Sequence, residues 1–395
     1  MLSSSREDFV AVRILLVLPW VALALLTQAR STLAEQQAAR AEAVGALPPD
    51  VDPISRNRLP AIKPDVHGAA AIRLHVSGVN VRWASPLGRA LTELAILTTA
   101  REHDQPYEWS LHEMEAVAVG LEPATIDIVR HRRPLRNLTD QQAVIIQLGR
   151  EIFGTHVLSS ATYARALKVL GQRDLVDIVD LMATYAATAA RLTAFNQHMP
   201  PGWKQFLPLP FTMSDDIHAD SRSRLPLIRT QTQNPQASLY ARQLAPEGTG
   251  PGHITRHGRG AASLEASVGR RLIALAILVT AREHDAQYDW TVNELAALTD
   301  GLEPTIIDVV RRKAALRDVG DKEAALVQFG RELFETHNVR ADTYAHALKM
   351  FGERDLVDIV GVMAQHAGDV VLLAAFDQHL PAGQKPLLPM TGGTR

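Results

Sequence analysis

Between residues 93 and 116 the chain sets ionisable side chains into an apolar helical pattern: Glu93-Leu-Ala-Ile-Leu97, Ala100-Arg101-Glu102-His103, and Tyr107-Glu108-Trp109-Ser-Leu-His112-Glu-Met-Glu-Ala116. A neutral imidazole beside carboxylates suits proton transfer near pH 7. His112 is therefore the candidate acid–base group, with Glu93 and Glu108 as partners that orient the ring or share its proton. Arg101 is the candidate clamp for a substrate carboxylate, held through two parallel N–H bonds, and Tyr107 and Trp109 are the candidate substrate-lining aromatics. A plainer reading of the same residues stands beside this one. It makes Tyr107 and Trp109 core anchors, Glu108 a solvated first-turn carboxylate, His112 a partly buried structural histidine and Arg101 half of a surface ion pair.

These groups need helices to hold them. Leu91, Leu94, Ala95, Leu97 and Thr98 form one face of a helix expected over about 87–104. Ser110 with Glu113 reads as a capping box opening a second helix that ends at Gly120, which would place His112 in a first turn. There the positive helix end would lower its pKa. Pro123 fits the first turn of a third helix, and Thr139 with Gln142 is another capping box. A helix over about 160–170 should end at Gly171, and a long one over about 172–198 should stop at Pro200 and Pro201. No run of strand length alternates in polarity, so the expected class is all-α, with about six helices per repeat.

The pattern occurs twice. Gly88–Pro208 matches Gly269–Pro389 without gaps at an offset of 181, with about half the positions identical. The expected organisation is one domain over 57–209, a linker at 210–222 and a second domain over 223–390, irregular to about 262. Similar tags, Arg58-Leu-Pro60 and Arg224-Leu-Pro226, introduce the copies. The fused pair is expected to replace a contact that single-domain chains make between subunits. At the positions of Glu93, Glu108 and His112 the second copy has Ala274, Asp289 and Asn293, so its site is degenerate. An enzyme reading predicts a cavity joining Glu93, Glu108 and His112, and a filled counterpart at Ala274 and Asn293. His103/His284, His156/His337 and His198/His379 recur near expected helix C-termini, where imidazolium would satisfy carbonyls.

The 395 residues include no cysteine, which excludes disulfides, thiolate metal sites and thiol catalysis. With 41 basic and 43 acidic side chains there is no basic footprint for nucleic acid. No HExxH or phosphate-binding glycine loop occurs, so neither a metal nor another cofactor is expected. Ile14–Leu26 is an uncharged run too short to span a bilayer. With Ala29 or Ala34 before a cleavage point, residues 1–34 read as a secretory signal, implying a periplasmic or secreted product without stable membrane insertion. A cytoplasmic product is the alternative.

Glu-Leu-Ala-Ile-Leu, Ala-Arg, Tyr-Glu-Trp-x-x-His-x-x-x-Ala, Gly-Leu-x-Pro-x-x-Ile, Leu-Val-Asp-Ile and Leu-Pro together resemble the carboxymuconolactone decarboxylase family, within the alkyl hydroperoxidase D-like superfamily. The resemblance covers both copies. It implies an all-helical fold that assembles into homo-oligomers and, in one branch, loss of carbon dioxide from a carboxylated unsaturated lactone followed by protonation of carbon. It also implies His112 as acid/base, Glu93 and Glu108 as its partners, and a small-molecule substrate. Related lyase, isomerase or hydrolase chemistry is an alternative, as is a binding or scaffold protein without turnover. In the redox branch a Cys pair completes the Glu–His relay. Gln105 and Glu108 occupy those two positions here, so peroxidase activity by that mechanism should be absent.

Overall fold

The computed structural model describes residues 47–200, 202–209, 214–228 and 249–389; the expected signal segment lies outside them. Residues 47–51 and 381–384 are turns belonging to a small separate unit, while 52–380 belong to one compact unit that contains both repeats. The described residues are all-α, with no strand.

In the first repeat the helices are α1 (Gly68–Arg73), α2 (Val81–Ala84), α3 (Arg89–Glu102), α4 (Pro106–Ala118), α5 (Pro123–Arg130), α6 (Asp140–Gly154) and α7 (Ser160–Ala194). The second has α8 (Pro251–Thr255), α9 (Ala261–Val268), α10 (Arg270–Glu283), α11 (Gln287–Thr299), α12 (Pro304–Arg311), α13 (Asp321–Glu335), α14 (Ala341–Phe351) and α15 (Glu353–Ala375). The capping box of α6 forms as the sequence predicts, Thr139 accepting from the Gln142 amide and Gln142 from that of Thr139. Gly171, at φ 77°, breaks the helical geometry inside α7 where a stop was expected. α15 is long and apolar enough to cross a membrane, yet 67% of that stretch is buried inside the protein, as befits a core helix.

α7 packs along α15, so the long helices of the two repeats meet. One core cluster mixes second-repeat residues with Tyr107, Leu111, Leu192 and Phe195; the other mixes first-repeat residues with Val371, Leu372 and Phe376. The tags explain the mixing. The Arg58 backbone amide donates to Phe376 O at 2.8 Å, and its guanidinium donates to Ala375 O at 3.2 Å and to Leu158 O at 2.9 Å. Arg224 mirrors it: its amide donates to Phe195 O at 2.9 Å, and its guanidinium to Ala194 O at 3.4 Å and Val339 O at 2.8 Å. Each tag therefore closes off carbonyls at the end of the other repeat's long helix, groups that a helix cannot satisfy internally.

The exchange extends into the stretch expected as linker. Gln197 Nε2 donates to the carbonyls of Ser221 and Arg222, and the His198 amide donates to Arg222 O. Ser221 and Ser223 have no solvent exposure. Gln378 and His379 read Ser55 and Arg56 in the same way. Lead-in and helix end thus form one reciprocal joint, made twice.

Candidate functional site

α3 and α4 carry the candidate groups. α4 starts at Pro106, capped by Gln105, whose side chain accepts from the Tyr107 amide at 2.9 Å. That corrects the expected start at Ser110. The Ser110 hydroxyl instead donates to Pro106 O at 2.7 Å and accepts from the Phe206 amide, while Glu113 accepts from Trp109 Nε1 at 2.6 Å and from Arg130. Thr291, the counterpart of Ser110 in the second repeat, is likewise interior to its helix, α11. His112 consequently sits in the middle of α4, beyond the reach of the helix's positive end.

Glu108, His112 and Glu115 follow one another at i, i+4 and i+7 on a single face of α4. Across from them, Glu93 Oε2 accepts from His112 Nδ1 at 2.7 Å, so residues 19 apart in sequence form a buried dyad. Glu93 has no exposure and His112 has 3%. Two guanidiniums hold the other Glu93 oxygen, Arg89 Nη2 at 2.7 Å and Arg82 Nε at 3.1 Å. Burial alone would raise Glu93, but His112, Arg82 and Arg89 outweigh it and hold the carboxyl well below the usual range. Burial pushes His112 down against the pull of Glu93, so the ring is neutral at pH 7, with Nδ1–H donated to Glu93. Tyr185 of α7 meets His112 edge-on, with centroids 4.9 Å apart, and bonds Arg82.

Glu108 behaves oppositely. It is 2% exposed, and among the described residues neither carboxyl oxygen has a hydrogen-bond partner. Burial pushes it well above the ordinary carboxylate value against the opposing pull of Arg82, which favours its protonated form and sets it apart from the solvated carboxylate of the plainer reading: the upward shift, not Arg82, favours the protonated form. Arg82 Nη2, Arg89 Nε and Glu115 Oε1 are also buried without partners. Five unpaired polar atoms thus surround one dyad, where buried polar groups are ordinarily satisfied.

The other candidates lie elsewhere. Arg101 is spent on Arg130 O, at 2.7 Å, and on Asp104, which removes it as a clamp. Trp109 is fully buried and Tyr107 nearly so, both in the core. The Tyr107 hydroxyl lies against Gly250, where an added Cβ would come within 2.7 Å, and Tyr288 sits against Gly68 in the same way. Both glycines have positive φ. These aromatics anchor the repeat exchange and do not line the dyad. Five of the recurring histidines are at helix ends but not as imidazolium: burial lowers His103 to about 3, and His156, His198, His284 and His337 to about 4. His103 pairs with His337, and His156 with His284, across the repeats at 5.6 and 5.5 Å.

The sequence reading missed Arg82, Arg89, Glu115 and Tyr185. Arg89 was signalled by its place four residues before Glu93. Arg82 and Tyr185 reach the site only through the packing of α2 and α7 on α3.

In the second repeat the expected filling is not what the structure shows. A cavity of about 320 Å³ opens beside Ile273, Ala274, Ile277, Asn293 and Ala296, in the space that Glu93 and His112 fill in the first. Ala274 and Asn293 are too small to occupy it. Asn293 Nδ2 donates to Asp289 Oδ1 at 2.9 Å, and Asp289 Oδ2 accepts from His366 Nδ1 at 3.3 Å. His366 stands where the first repeat has Tyr185, so a histidine–carboxylate pair reappears from different positions. Among the described residues no three His, Asp or Glu side chains converge to hold a metal ion.

Comparison with known proteins adds no name to this geometry. No family model, curated protein or solved structure matches the chain.

Proposed function

We propose that the first repeat is a cofactor-independent acid–base site of the carboxymuconolactone decarboxylase-like type, acting on a small unsaturated lactone or related carbonyl compound. The observation that carries this reading is the set of unpaired buried polar atoms around the Glu93–His112 dyad: the N–H groups of Arg82 and Arg89 for a carboxylate, and a protonated Glu108 as proton donor. In decarboxylation the bond to the carboxylate carbon breaks and carbon dioxide departs. The electron pair stays on the carbon conjugated with the carbonyl, and Glu108 delivers its proton there. The Glu108 carboxylate left behind is reprotonated from solvent: neutral His112, its Nδ1–H fixed by Glu93, accepts a solvent proton at Nε2 and passes it to Glu108. Arg82 and Arg89 take the clamping role expected of Arg101, and Glu108 becomes the acid while His112 supports it. Because Glu93 and His112 are closed to solvent, substrate entry requires local opening of the elements packed over them.

A second reading, ligand binding without turnover, is favoured by the open cavity in the second repeat. A spectrophotometric screen of lactones and β-keto acids tests both. The enzyme reading expects turnover that falls by at least about 100-fold in Glu108→Gln and in His112→Ala, a loss in the range of acid–base catalysis. Parent rates in His112→Ala would refute the role of the dyad. Calorimetric binding of these compounds with no product formed would favour the binding reading.

A further inference from the structure

A second cavity, of about 520 Å³, lies away from the dyad along α7 and α15, lined by Arg73, Asp180, Ala183, Ala187, Arg191 and Gly368 among others. Its polar groups are nearly all spent. Arg73 pairs with Asp369 at 2.5 Å and loosely with Asp180 at 3.8 Å. The hydroxyls of Thr184 and Thr188 donate to carbonyls of their own helix, and Gln365 donates to Asp369. Arg191 differs from all of these. Among the described residues its single hydrogen bond goes to Ala187 O at 3.3 Å, and it has no carboxylate partner there. Burial lowers its pKa with no compensating charge to raise it. Partly burying a guanidinium unpaired is costly unless something else meets it.

The asymmetry of the repeats sharpens the point. The inner faces of α7 and α15 correspond closely, yet at the 181-residue offset Asp180, Thr184, Thr188 and Arg191 face Gly361, Gln365, Asp369 and Leu372 in the second copy. Leu372 is fully buried in the core. The first copy thus places a cation where its counterpart needs an apolar side chain, at the end of a groove floored by Ala183, Ala187 and Gly368.

We infer that this groove binds a small organic monocarboxylate, its head on the Arg191 guanidinium and its aliphatic body over Ala183, Ala187 and Gly368. Carboxylate fits because a guanidinium presents parallel N–H donors to it. A single charge fits because Asp180 lines the far part of the groove, three helical turns from Arg191 and roughly 16 Å along α7, where it repels a second anionic group. An aliphatic body fits because the side-chain donors of Thr184, Thr188 and Gln365 along the groove are already committed.

Isothermal titration calorimetry of the full chain with octanoate, and with octanol as the uncharged match, tests this. Octanoate is expected to bind and octanol to bind far more weakly. Arg191→Leu, the residue the second repeat carries, should weaken octanoate by at least about tenfold, while far-ultraviolet circular dichroism stays unchanged. Thr184→Trp, at an exposed lining position, should block binding and keeps the test available if Arg191→Leu folds poorly. His112→Ala should bind octanoate like the parent, which separates this site from the proposed acid–base site. Absence of octanoate binding to the parent, octanol binding as tightly as octanoate, or undiminished binding in a folded Arg191→Leu would each overturn the inference.

Discussion

Glu108→Gln is the sharpest probe of the first repeat, because glutamine keeps the shape of the carboxylic acid and removes its titration. Glu108 is buried, with both oxygens unpaired and its pKa raised by burial. In the unfolded chain it ionises near the ordinary glutamate value, about 4.3. Above that value the unfolded state releases a proton that the native state keeps. Stability contributed by this group is therefore fully present below about pH 4 and is lost as pH rises toward the raised native value, at about 1.4 kcal/mol per pH unit. If the carboxyl stays protonated through pH 7, the wild-type chain loses about 3 kcal/mol from this residue between pH 5 and pH 7, and the Gln variant loses none of it. Urea unfolding of both proteins across that range measures the difference. The variant should be the more stable at pH 7, with the gap closing toward pH 5. Parallel stability curves, or a variant less stable at pH 7, would show that Glu108 is ionised and paired, and the proton-donor role would fall with it.

Two further outcomes follow from the repeat exchange. His103, His156, His284 and His337 are half-buried and neutral, with values lowered to about 3 for the first and about 4 for the others. Their contribution is fully present above the ordinary imidazole value and is lost as pH falls toward these native values. Full burial would cost about 2 kcal/mol per ring at pH 5; their residual solvent access reduces this to about 1, or about 4 for the set. The urea midpoint of His156→Gln/His337→Gln should fall less than that of the parent between pH 7.5 and pH 5, and equal shifts would contradict the assignment. Arg58→Ala should cost about 3 kcal/mol in urea unfolding, because it strands buried carbonyls at the end of α15 and the Leu158 loop. Arg224→Ala should cost a similar amount, and a change within about 0.5 kcal/mol for either would mean the tags are peripheral.

What short-range chemistry controls was legible in the sequence. The spacing of Leu91, Leu94 and Leu97, the Thr139/Gln142 capping box and the stop at Gly171 depend on residues within a few positions of one another, so they determined the all-α class and most helix bounds. The duplication was visible for the same reason, being a comparison of sequence with itself. Glu93 and His112 could be nominated because the turn between α3 and α4 is short. Ser110 shows where local reading failed: its capping pattern was outcompeted by Gln105 as cap and by the calls of Trp109 and Arg130 on Glu113.

Charge and partnership were decided only by the tertiary structure. His103, His156, His284 and His337 look like imidazolium from their positions, but packing of one repeat on the other desolvates them and keeps them neutral. Glu108 looks like a first-turn carboxylate until burial leaves it without partners, and Arg101 looks like a clamp until Arg130 O and Asp104 take it. Arg82 and Tyr185 join the dyad from α2 and α7, and each tag closes the long helix of the other repeat. These depend on desolvation and on contacts between residues far apart in the chain, for which spacing along the sequence carries no signal.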